Sequence, residues 1–540
     1  MLKTQTSNEA TVSVSNKTVG SIGLFGAISV IIGAVIGIGV FFKNGSVFRN
    51  NQGSGIGVLF SWIISFIIAL ATAYSYVEIV SIKTKSVNAG LGAWATEFGG
   101  NRIGRFVRLG QPVMYYGLTA TVCSLFAAEA VLNIHKPGNI DFVGFWVVTL
   151  ITLALLVTFI TINAFAQKVG RGFAKGSTIT KFIPIAAVVF LGIIFGAMHP
   201  GNNIFDPHNR VYEPSSIATP NWDSGSFSFA GMLTSLPAIL FAFDSFLIVG
   251  NIASHVKNPK RNVPLSIVLS MVTSGFIYLM VTISQIISGC GSPYLLFSFI
   301  FGDGNLGNTI GSIIISVFIM IAIFGVINSM SMAIVNSSQS LIEDNIIMGQ
   351  KLFNKINNRR YLMGGYVLGL MTIGLWWMIV CIPSIIMNTD QIGDAICNFG
   401  EVYIYAIYAF VILLSLINRR KQKVEVTKNK GHWPISIVAI FGCFLAAGFC
   451  IFYSYSFEFV KPGYANSQSY CGLFFDSPWR MTMWQETLIF WVVGLFMMLF
   501  PYINDLIIKK TDKSYHLPFI WEKVSKINFE ITVVNNETKS

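Results

Sequence analysis

Long uncharged apolar stretches recur along the chain, each closed by a short polar or charged segment. A helix needs about 20 apolar residues to cross a ~30 Å hydrocarbon core, and twelve stretches reach that length. In the first half they run Gly20 to Phe42, Gly57 to Ile82, Gly110 to Asn133, Phe142 to Ala164, Thr178 to Met198 and Ala230 to Ala253. The second half adds Pro264 to Gly289, Gly307 to Val335, Tyr361 to Met387, Gly393 to Leu416, Pro434 to Tyr455 and Thr482 to Ile508. The pattern predicts an all-α integral membrane protein with 12 transmembrane helices.

Two spans carry residues that interrupt a helix. Backbone groups in hydrocarbon must be satisfied within the protein, so such interruptions mark cavities. The first span holds Gly33, Gly37 and Gly39 within one run, dense enough to unwind it and let a ligand approach the backbone; Gly33 and Gly37 are also spaced for close helix packing. The sixth places Asp244 about eleven residues before its end. An ionised group at that depth costs at least ~2.5 kcal/mol unless a wet cavity or hydrogen bonds receive it. It serves either to cap a broken half-helix or to touch a ligand directly.

The two broken spans lie five apart, an odd number, so equivalent elements of two five-helix repeats run in opposite directions. The expected organisation is an N-terminal tail (1–19), a first five-helix repeat (20–198), an outer loop (199–229), a second repeat (230–416), a basic loop (417–432), helices 11 and 12 (433–508) and a C-terminal tail (509–540). This is an inverted 5+5 repeat, with helices 1 and 6 broken and two further helices added.

Of 540 residues, 53% are hydrophobic and 11% charged, a balance that excludes a water-soluble domain. The formal charge of +12 suggests an acidic partner only until the cations are placed. They cluster after even-numbered spans: Lys83, Lys85, Arg102, Arg105 and Arg108; Lys168, Arg171 and Lys175; Lys257, Lys260 and Arg261; Lys351, Lys355, Arg359 and Arg360; Arg419 through Lys430. Opposite loops hold only Lys43, Arg49, Lys136, Arg210, Lys461 and Arg480. The positive-inside rule then puts both termini in the cytoplasm. Met1 to Val19 has no signal-peptide pattern, so the first span is expected to stay.

The seven cysteines form no C-x-x-C pair; only Cys290 and Cys471, both expected outside, are placed for a bridge. A membrane enzyme would need paired acids or a histidine constellation. Asp390 and Asp394 are four apart, but they fall in an outer connection without cationic neighbours and read as a solvated helix start. No catalytic residue, metal or cofactor is expected, and no nucleic-acid partner. A channel would require rings of carbonyls or charges that no repeat here supplies.

Three motifs give the chain a family resemblance. Gly37-Ile38-Gly39-Val40-Phe41 resembles the G-S-G-[IV]-F of the amino acid-polyamine-organocation transporters, with Ile38 where a small residue is usual. Phe241-Ala242-Phe243-Asp244, followed by Val256 through Pro264 with its K-N-P-K-R-N-V-P string, is similar to that family's sixth span and the loop behind it. Tyr76, Glu78, Ser86, Gly90, Trp94, Phe98 and Gly99 follow more loosely its Y-A-E…P-x-S-G-G-x-Y…F-G stretch.

The resemblance implies a secondary active transporter that moves amino acids across the plasma membrane by alternating access. It also implies that the substrate carboxylate rests on the N–H groups of Ile38 and Gly39. The ammonium would lie against the carbonyls of Val35, Phe241, Ala242 and Asp244, with Phe241 as the gating aromatic. Lys181 resembles a fifth-span lysine that replaces the sodium ion in some members, which implies sodium-independent proton symport or exchange; a lysine snorkelling to the interface is the other reading. A polyamine or other organic cation is the alternative cargo, and a channel or membrane enzyme a more remote one.

Overall fold

A computed structural model describes residues 22–37, 39–82, 90–135, 143–202, 227–291, 293–301, 305–356, 362–469, 471–472 and 479–511. Two short helices open it, α1 (Leu24–Val35) and α2 (Gly39–Asn50), followed by α3 (Gly55–Ile79). Next, α4 (Leu91–Leu109) passes through a π-helical segment (Gly110–Tyr116) into α5 (Gly117–His135), and α6 (Phe145–Phe165) and α7 (Gln167–Met198) follow. Then come α8 (Phe229–Thr234), α9 (Leu236–Phe243), a 3-10 segment (Phe246–His255), α10 (Pro259–Ser288), α11 (Pro293–Ile300) and α12 (Asn305–Glu343). The last are α13 (Gln350–Ile356), α14 (Met363–Met387), α15 (Gln391–Lys421), α16 (His432–Phe449) with a π-helical extension (Cys450–Phe457), and α17 (Met483–Thr511).

Among the described residues, eleven helical stretches are long and apolar enough to cross a membrane, and Leu24–Val35 is a shorter apolar helix. The protein is a multi-pass membrane protein. Large apolar side chains such as Ile183, Phe190, Ile386 and Leu488 are exposed on the outside of the bundle, where lipid takes the place of water. The seven cysteines are all free, Cys290 and Cys471 included.

Several boundaries differ from the sequence expectation. The break in the first span is not among these differences: the chain leaves helical geometry at Ile36 (φ −75°, ψ 94°), and α1 and α2 are separate helices, as the glycine run predicts. Helix α7 begins at Gln167, not Thr178, and Arg102, Arg105 and Arg108 belong to α4 rather than to a loop. Arg105 is buried and ion-paired with Asp505 of α17. The N-terminal tail, most of the 199–229 loop and the C-terminal tail lie outside the described residues.

The K-N-P-K-R-N-V-P string has a local reason. Asn258 takes a left-handed conformation (φ 47°) just before Pro259 opens α10, a turn that asparagine tolerates better than most residues. Lys257 N–H donates to the Ile22 carbonyl at 2.8 Å, tying the start of α1 to the end of the 3-10 segment.

Candidate functional site

The two helix breaks meet inside the bundle. Tyr278 of α10 places its hydroxyl 2.9 Å from the Val35 carbonyl and 2.9 Å from the Ala242 carbonyl. Those oxygens end α1 and α9, where a helix leaves carbonyls without intrahelical donors. One hydroxyl proton serves one of the two at a time. Trp62 and Phe243, with ring centroids 5.4 Å and 5.1 Å from that of Tyr278, hold the ring in place.

Glycine brings the backbones together. A Cβ on Gly39 would lie 2.4 Å from the Ala242 Cβ, and one on Gly37 would lie 2.5 Å from Cγ2 of Val326 on α12. Both glycines therefore have a packing role as well as a place at the break. Helix α2 starts at Gly39, so the first N–H groups of that helix have no intrahelical acceptor and form the positive end of its dipole. Ile38, expected to share that site, lies outside the described residues.

Lys181 turns inward. Its Nζ donates to the carbonyls of Gly33 at 2.6 Å and Ile36 at 2.7 Å, at the negative end of α1, and the residue is 1% exposed. This geometry is not that of a lysine snorkelling to an interface. Room for it comes from Gly325 of α12, where a Cβ would stand 2.8 Å from both Cε and Nζ. One turn earlier, Thr178 donates to the Ser29 carbonyl at 2.9 Å, fixing α7 against α1.

The second break is built by Asp244 and Ser245. Ser245 has a φ of 71°, which a non-glycine residue seldom adopts. The Asp244 carboxylate, 2% exposed, accepts from the hydroxyls of Tyr115, Tyr408 (2.8 Å) and Ser245 (3.2 Å). Tyr115 also stands 2.9 Å from Oε1 of Glu401, which is 3% exposed on α15. These hydroxyls occupy the side chain of Asp244, so a ligand approaching the break meets backbone rather than a free carboxylate. Tyr115, Tyr408 and Glu401 were not singled out by motif. The one local signal is Gly110 with Pro112, which open the π-helical segment that carries Tyr115.

Above the break, Lys43 of α2 donates to Oδ1 of Asp394 on α15 at 2.7 Å, and its Nζ lies 5.6 Å from the centroid of the Phe241 ring. This corrects the reading of Asp394 as a solvated helix start without a cationic neighbour. Asp390 is likewise buried, and Lys43 is an interior residue, not a loop cation. The pair and the partly buried Phe241 bring α2, α9 and α15 together beside the second break. Among the described residues, no group of three His, Cys, Asp or Glu side chains is placed to hold a metal.

Comparison with known proteins bears on this arrangement. A family model described as amino acid permease matches residues 22–469. The serine/threonine exchanger SteT of Bacillus subtilis is 24% identical over 436 residues, covering 79% of this chain and 90% of its own. The b(0,+)-type amino acid transporter 1 of Mus musculus is 26% identical over 274 residues, covering 49% of this chain and 50% of its own. An uncharacterized protein of Mycoplasma pneumoniae is 22% identical over 472 residues, covering 78% of this chain and 82% of its own.

Proposed function

The chain belongs to the amino acid permease family, within the amino acid-polyamine-organocation superfamily, and on that premise we propose that it carries amino acids across the plasma membrane by alternating access and without sodium. The observation that carries this reading is the Lys181 ammonium bound to the Gly33 and Ile36 carbonyls. Carbonyls at the end of a broken helix are what a small cation would need, and here a covalently held cation takes the place. Proton symport and exchange of one amino acid for another both accord with such a site.

In this mechanism the carboxylate of the substrate binds the backbone N–H groups of Ile38 and Gly39, the latter opening α2, and needs no charged side chain. The ammonium lies at the end of α1 and α9, against the backbone oxygens of Val35, Phe241, Ala242 and Asp244. Tyr278 satisfies only one of the Val35 and Ala242 oxygens at a time, which supports the other as an acceptor for the substrate. Phe241, with Lys43 and Asp394 above it, serves as the gate. The alternation of basic segments along the chain supports cytoplasmic termini, and the paired breaks support the inverted 5+5 repeat.

The test is uptake of a panel of radiolabelled amino acids, with putrescine and spermidine alongside, into proteoliposomes containing the full chain. Saturable uptake of at least one zwitterionic amino acid is expected. Uptake of the polyamines with none of the amino acids would contradict the assignment of cargo.

A further inference from the structure

Two buried carboxylates, Asp244 and Glu401, face the same hydroxyl, that of Tyr115. A phenol has one proton and donates in one direction only; toward the other neighbour it offers lone pairs. If both carboxylates were ionised, one of these contacts would set lone pairs against lone pairs. The second carboxyl must therefore carry a proton of its own and donate it to Tyr115.

The hydrogen bonding decides which one. Asp244 collects Tyr115, Tyr408 and Ser245 hydroxyls on its two oxygens, and donors of that number favour the charged form. Glu401 meets Tyr115 through Oε1, while its buried Oε2 has no hydrogen-bond partner among the described residues. The arrangement is Glu401 O–H to Tyr115 Oη, and Tyr115 O–H to Asp244. The charged and titratable groups around Glu401 leave this intact. Lys43 of α2 is engaged by Asp394, itself on α15. Cys123 of α5, with Cys397 and Tyr405 of α15, completes the surroundings, and Lys181 of α7, which also acts on Cys123, is bound to carbonyls.

We propose that Glu401, Tyr115 and Asp244 form a proton-binding site holding one proton beyond that of the tyrosine, with α9 as the part that controls it. The ligand is a proton, taken from water and returned to it. When the broken helix carries Asp244 away, Tyr115 turns its own proton to Glu401, stabilises the carboxylate there and lets the Glu401 proton leave. The site gives the transport reading a place for proton coupling separate from Lys181, and its use in transport rests on that reading; its existence does not.

The experiment is infrared spectroscopy of the purified full chain in lipid nanodiscs, reading the C=O stretch of protonated carboxylic acids at neutral pH. Wild type is expected to show a component that Glu401→Gln removes and Lys181→Ala leaves in place. Tyr115→Phe, which keeps the ring, should move that component to higher frequency, because the acid has lost its acceptor. A spectrum that Glu401→Gln leaves undiminished overturns the proposal, and so does a component that Tyr115→Phe leaves unmoved. No substrate is required, so a failed uptake panel with the expected spectra counts against the transport reading and not against this site.

Discussion

Gly39 shows how a glycine can matter for two reasons at once. Its place at the break suits an open backbone for a carboxylate, while a Cβ added there would stand only 2.4 Å from the Ala242 Cβ, which makes it a close-packing position too. Gly39→Val should therefore push α2 from α9 and disturb the N–H groups at its start. Overpacking of this kind costs about 1–3 kcal/mol, so the protein should still be produced, with affinity for a zwitterionic amino acid reduced at least ~10-fold. Ligand binding to the detergent-purified variant, beside its elution profile, checks this; unchanged affinity would defeat it. The glycines and the mid-span Asp244 were legible in the sequence because each violates what a plain membrane helix contains. Their partners were not: Tyr115 and Glu401 are 286 positions apart, and nothing local links them.

At the scale of elements, apolar run length located most helices but misplaced polar residues near their ends. Arg105 and Lys43 look like loop cations because charge usually marks a span boundary, yet each is buried against an aspartate from a distant helix, 400 and 351 positions away respectively. Such pairings compensate the cost of burial and leave no trace in local hydropathy. The Lys43–Asp394 pair joins α2 to α15 over Phe241. Removing one partner of a buried pair strands the other charge, at a cost of about 3–5 kcal/mol, whereas replacing both by apolar groups of similar volume is often neutral. Asp394→Asn should thus lower the unfolding temperature of the purified protein more than Lys43→Met combined with Asp394→Leu. Equal losses in the two variants would show that the charges are not what joins these helices.

For the whole molecule, the decisive feature is that a helix end shaped to accept a cation already holds one. Length and apolarity made the membrane class readable from sequence, and the K-N-P-K-R-N-V-P string with the two breaks made the family readable. The inward turn of Lys181 was not, since α7 starts eleven residues before the apolar run suggests and a lysine near a run's edge reads equally well as snorkelling. The measurement that tests this most directly is uptake, into vesicles with imposed Na⁺ or H⁺ gradients, of an amino acid selected by the panel, comparing wild type with Lys181→Ala and Lys181→Gln. Wild-type uptake should be indifferent to Na⁺, and both variants should lose gradient-driven uptake. A steep dependence on Na⁺ in the wild type, or normal gradient-driven uptake by both variants, would contradict the account.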